Sequence, residues 1–140
     1  MQWILANSGT AQRFTLLNEE QKMAELKLNE SGRSIRLDYG RKRLFFFHYS
    51  SLLEKKLSFT NEYGLTVAAD IALDKSSGVV EVDNKKLFYK LAQEELTVYT
   101  DRRIQLAQSI LPPSLSALQK GALLFATAWL AQEVNEKVVL

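Results

Sequence analysis

The chain has 140 residues, of which 46% are hydrophobic and 24% charged, with a formal net charge of +2. That is enough apolar content for one domain with its own core, and too little charge to argue for nucleic acid. It contains no cysteine, which excludes disulfides, thiolate catalysis and thiolate metal sites. The opening MQWILANSG lacks the basic start and long apolar core of a signal peptide, so the expected compartment is the cytoplasm.

Gln2 to Ala6 is a short apolar run ended by the turn residues Asn7-Ser8-Gly9. Arg13 to Leu17 follows, with Phe14 and Leu16 on one side, and Asn18-Glu19-Glu20-Gln21 turns the chain. Ala24, Leu26 and Leu28 then alternate with Glu25 and Lys27, the period of a strand with one wet face. After Asn29-Glu30-Ser31-Gly32, Ile35, Leu37 and Tyr39 alternate with Ser34, Arg36 and Asp38. Leu44 to Tyr49, LFFFHY, is the most aromatic run, and its continuous apolarity predicts a strand with both faces at least partly covered.

Lys56 to Thr60 is a shorter strand, and Asn61-Glu62-Tyr63-Gly64 reads as a hairpin turn. Leu65, Val67, Ala69, Ile71 and Leu73 alternate over a long strand, which puts Asp70 on its solvent face. Val79 to Val82 follows Lys75-Ser76-Ser77-Gly78. Asp83-Asn84 is a two-residue hairpin signal, because both residues tolerate positive φ. Leu87 to Leu91, a turn at Glu94-Glu95, Leu96 to Thr100 and Ile104 to Leu111 complete the series, and Val138-Val139-Leu140 is expected as a last short strand.

The stretch from Ser116 to Val134 is the one long helical candidate. Pro112-Pro113 breaks the strand before it, and Ser116 with Gln119 has the spacing of a capping box. From Gly121 to Ala131 no face is charged, so the helix must be surrounded. A run of this length is that of a buried core helix rather than a bilayer span, and Lys120 and Glu133 bracket it. About twelve short strands with closely spaced turns predict a barrel or sandwich. Only a closed wall can surround such a helix on every side. The expected fold is therefore one domain, residues 1–140: a mainly β, closed antiparallel β-barrel of about twelve strands around a buried hydrophobic C-terminal α-helix at about 114–136.

The C-terminal segment resembles the tubby-like superfamily, which includes the tubby C-terminal domain, the LURP-one-related proteins and the phospholipid scramblases. Ile110-Leu111-Pro112-Pro113-Ser114-Leu115 leads through Lys120-Gly121-Ala122 into Leu123 to Leu130, as a proline-leucine stretch leads into the buried helix of a scramblase. Glu133-Val134-Asn135 is similar to the end of that helix in LURP-one-related proteins. The resemblance implies the barrel and the buried role of the helix. It does not carry over lipid scrambling, since the chain has no cysteine cluster and no proline-rich arm. Asp74-Lys75-Ser76-Ser77-Gly78 lacks the regular oxygen ligands of a calcium loop.

Little in the chain points to catalysis. His48 is the one histidine. It is a formal base for Ser50 or Ser51, but its place in an aromatic strand reads as structural. There is no HExxH, GxxxxGK[ST] or GxGxxG pattern, no metal ligand or cofactor is assigned, and the carboxylates Asp38, Asp70, Asp74, Asp83 and Asp101 are scattered. Trp3 and Trp129 read as core. The surface pattern that stands out is basic: Arg41-Lys42-Arg43, Lys55-Lys56, Lys85-Lys86 and Arg102-Arg103 all fall at or beside strand ends. If these ends meet at one rim, they form a patch for an anionic membrane surface or lipid headgroup. The plainer account is that lysines at wet strand ends deter edge pairing. The leading expectation is a non-enzymatic binding module for anionic lipid headgroups, with no nucleic acid partner. The alternative is a protein-interaction or structural domain without a ligand. A carrier of a small apolar molecule would need an open interior.

Overall fold

The structure, a computed structural model, describes residues 1–8, 11–51, 56–73 and 75–138. Eleven strands precede one helix: β1 (Gln2–Ser8), β2 (Ala11–Asn18), β3 (Gln21–Asn29), β4 (Ser34–Asp38), β5 (Lys42–Ser51), β6 (Lys56–Asn61), β7 (Thr66–Ala72), β8 (Ser77–Val82), β9 (Lys85–Ala92), β10 (Glu95–Tyr99), β11 (Gln105–Ile110) and α1 (Ala117–Val138). Each strand pairs antiparallel with the next, and the sheet closes β1 onto β11 into a barrel. The expected architecture is present, with eleven strands where about twelve were expected. Of the expected last strand, Val138 is helical, and Val139 and Leu140 lie outside the described residues.

The closing pair is a parallel contact in an otherwise antiparallel barrel. In an up-and-down barrel the strands alternate in direction, so an odd number leaves first and last pointing the same way. β1 and β11 are accordingly parallel, joined at Gln2 and Ile110.

Inward alternation builds the core. Phe14 and Leu16, Leu26 and Leu28, Ile35 and Leu37, Val80 and Val82, and Leu96 and Val98 are all buried. The two faces of β5 are covered unequally. Phe45 and Phe47 are buried, whereas on the outer face Leu44 is half-buried, Phe46 is 40% exposed and His48 is exposed. The outer face is covered only in part because the barrel has no second layer outside it. β7 differs from its expectation. Val67, Ala68 and Ile71 are buried while Ala69 is exposed. Leu57 pairs with Ile71 but Phe59 pairs with Ala68, so β7 carries one extra residue there. Asp70 takes up the bulge at a φ of 55°, and its N–H donates to Ser58 Oγ at 3.2 Å. Asp70 is exposed, as expected.

α1 fills the barrel. Gly121 to Trp129 are buried without exception. Its start is the predicted capping box: Gln119 N–H donates to Ser116 Oγ at 3.1 Å, and Ser116 N–H donates to Gln119 Oε1 at 2.8 Å. Phe125 stacks on Phe59 with ring centroids 4.0 Å apart and meets Phe45 edge-on at 5.0 Å. Trp3 and Trp129 are both core residues. The helix enters near the start of β2, where Gln119 Nε2 donates to Gln12 Oε1 at 2.7 Å. It leaves near the β4–β5 connection, where Trp129 Nε1 donates to Tyr39 Oη at 3.2 Å. This defines an entry end and an exit end. None of the described helices is long and apolar enough to cross a membrane.

Candidate anion-binding site

Strand direction decides where the basic groups go. In an up-and-down barrel every second connection lies at the same end. The connections β4–β5, β8–β9 and β10–β11 share the exit end, and they carry Arg41-Lys42-Arg43, Lys85-Lys86 and Arg102-Arg103. The remaining pair is separated from them: Lys56 opens β6 at the entry end, and Lys55 lies outside the described residues. The exit end also holds Glu19 and Glu20 in the β2–β3 turn, and Glu62, Asp83 and Asp101 in the β6–β7, β8–β9 and β10–β11 connections, so acidic and basic residues are interspersed there.

The basic residues are not equivalent. Arg43 is half-buried, its guanidinium 5.1 Å from the Trp129 ring and 5.5 Å from that of Phe45. Arg41 lies 3.6 Å from Glu133, and Glu133 also accepts a hydrogen bond from Tyr39 Oη at 2.9 Å. Both arginines therefore fasten the end of the helix to the wall. Burial, with the neighbouring Glu133 carboxylate, raises the Tyr39 phenol above its ordinary value, and the Trp129 N–H offsets part of this. Lys85 is half-buried, and Lys86 sits across from Glu81. Lys42, Arg102 and Arg103 are exposed and form no ion pair among the described residues.

Beside Lys42 lies a groove of 320 Å³ on the outer face of β3, β4 and β5, lined by Lys27, Arg36, Lys42 and Arg43 with Glu25, Asp38 and Glu62 among its acidic neighbours. Lys27 and Arg36 stand directly opposite each other across the β3–β4 ladder, a like-charge placement that destabilises a sheet. Neither has an ion-pair partner among the described residues. The nearby Glu25 is already engaged, 2.9 Å from Arg13 Nε and 2.5 Å from Lys22 Nζ. The hydrogen bond from Lys22 holds its carboxyl below the usual range. Asp38 Oδ1 accepts the Gly40 N–H at 3.2 Å. The groove thus sets two like-charged side chains face to face with Lys42 at its lip, while Glu25, which Lys27 helps to hold ionised, and Asp38, directly opposite Lys42, offset part of that charge.

Lys27 and Arg36 did not stand out in the sequence. Each reads as one wet position of an alternating strand, and only the register set by the connection between Asn29 and Ser34 makes them neighbours. Two other concavities are present. A cleft of 480 Å³ lies at the entry end among Leu73, Leu91, Leu115 and Leu124, with Lys75 and Lys120 at its mouth. A shallow groove of 810 Å³ runs over the outer face of β8, β9 and β10, where Val79, Phe88 and Tyr99 are successive cross-strand neighbours. His48 is exposed and faces Ser58 across the β5–β6 ladder, and Asp74 lies outside the described residues. No protein-family model, curated protein or solved structure matches the chain.

Proposed function

We propose that this protein is a non-enzymatic binding module that recognises anionic lipid headgroups through the outer wall of β3–β5 and the adjoining exit end of its barrel, and that it belongs with the tubby-like proteins it resembles. The observation that carries this reading is the Lys27–Arg36 pair, two like charges directly opposite each other and outside any ion pair among the described residues, in a groove whose lip is Lys42. A phosphate-bearing headgroup would remove their repulsion and gain charge-assisted hydrogen bonds. Arg102 and Arg103 extend the positive surface over the same end, each basic group contributing about 1 kcal/mol near an anionic membrane. Co-sedimentation with liposomes of graded anionic content, repeated over a salt series, tests this. Binding should rise with anionic lipid, fall with salt and be lost in K27Q/R36Q/K42Q. Phosphatidylserine and phosphoinositide vesicles compared at equal charge separate general attraction from headgroup recognition. A parent protein that stays in the supernatant at low salt would sink the reading.

One observation favours a second reading, a protein-interaction domain. The Val79–Phe88–Tyr99 row forms an apolar strip across three outer strands, bordered by Lys90 and Arg103. Binding to a protein partner that survives K27Q/R36Q/K42Q but is lost in F88S would favour it.

A further inference from the structure

Two connections at the exit end share one construction. In the first, Asn61 N–H donates to Leu65 O at 2.9 Å and Gly64 N–H donates to Asn61 O at 3.0 Å. Asn61 Oδ1 also accepts from the N–H groups of Tyr63 and Leu65, both at 3.0 Å. In the second, Thr100 N–H donates to Ile104 O at 2.9 Å and Arg103 N–H donates to Thr100 O at 3.0 Å. Thr100 Oγ1 accepts from Arg102 N–H at 3.3 Å and from Ile104 N–H at 3.2 Å. The fourth residue of each turn is left-handed, Gly64 at a φ of 79° and Arg103 at 62°.

Each of these tied turns ends in an aliphatic side chain that packs on little. Tyr63 is 82% exposed, Leu65 64% and Ile104 59%, and no other large hydrophobic residue among those described exceeds 49%. A single exposed leucine needs no explanation. Here the three most exposed large apolar side chains stand at one end of the molecule, the end that carries three of the basic groups. They are mounted on turns whose backbone is already ordered, so little further entropy is lost when something covers them. Glu62, from the first turn, lines the anion groove, and Arg102 and Arg103 immediately precede Ile104.

We infer that the exit end is a bilayer-inserting surface: Tyr63, Leu65 and Ile104 enter the boundary between headgroups and acyl chains of an anionic membrane while Lys42, Arg102 and Arg103 stay at headgroup level. The inference rests on the anionic-headgroup reading above. Apolar tips among basic residues suit a bilayer interface, where both kinds of group find their solvent. Glu62 and Asp101, one in each turn, set the depth, because a carboxylate is costly in hydrocarbon.

The test uses the full chain carrying Y63W, with vesicles of phosphatidylcholine and phosphatidylserine that bear bromine on their acyl chains. Trp3 and Trp129 are buried, so a change of emission on binding reports position 63. Emission should shift to the blue and be quenched by the acyl-chain bromines. L65S/I104S, with an unchanged circular dichroism spectrum, should lower vesicle affinity about tenfold. Vesicle binding without quenching, together with undiminished affinity of L65S/I104S, overturns insertion and leaves the headgroup reading standing. A parent protein that binds no vesicle at low salt overturns both.

Discussion

Thr127 ties the first strand to the last helix. Its Oγ1 accepts the Trp3 indole N–H at 3.1 Å and donates to the Leu123 carbonyl at 2.7 Å. All of this is buried, so each polar atom needs its partner. T127V keeps the shape of the side chain but leaves the indole N–H without an acceptor. It should cost about 1–3 kcal/mol, read as a lower denaturation midpoint with an unchanged denaturant slope. The same kind of reasoning divides the basic residues. Arg43 lies over aromatic rings and Arg41 beside Glu133, so their role is to hold the helix. Lys27, Arg36 and Lys42 form no ion pair among the described residues, and the function test therefore neutralises those three.

Among the elements, the hairpins carry visible strain. Glu19 and Glu20 both have positive φ, 51° and 70°, as do Gln93 and Glu94 at 50° and 68°. Two-residue hairpins need this conformation because its twist matches that of the flanking strands. For residues with a Cβ it is unfavourable, and Asn and Gly relieve it. Asp83-Asn84 meets the same demand, at 51° and 65°, with residues suited to it. E19N/E20G should therefore raise stability by about 1 kcal/mol, seen as a higher melting temperature with the fold unchanged. The bulge in β7 shows the reverse case, where one extra residue at Asp70 moves Ala68 inward and Ala69 outward without breaking the strand.

At the scale of the whole molecule, stability depends on the helix staying seated in the wall. Tyr39 is part of that seat, between Trp129 and Glu133. Its phenol is raised above the ordinary value of 10.0, chiefly by burial. Below that value both folded and unfolded chains hold the proton, and the seat contributes fully. As pH rises past it, the unfolded chain releases its proton first, so stability falls until the folded phenol ionises as well. Denaturation midpoints measured from neutral pH upward should show this alkaline loss in the parent and a flatter profile in Y39F, which starts from a lower stability at neutral pH because it lacks both hydrogen bonds.

The order of strands, the capping box at Ser116 and the burial of Gly121 to Trp129 were legible in the sequence, because they rest on local periodicity and on hydrogen bonds three residues apart. A helix apolar on every face requires a wall on every side, so even the closed barrel followed from one segment. Which side chains meet across the wall was not legible. The Lys27–Arg36 rung depends on register, and the gathering of Arg41-Lys42-Arg43, Lys85-Lys86 and Arg102-Arg103 depends on alternating strand direction. The exposure of Leu65, which reads as the first apolar position of a strand, depends on four hydrogen bonds within its turn. Local periodicity tells each residue whether it faces in or out, whereas only the closed, staggered sheet determines its neighbours.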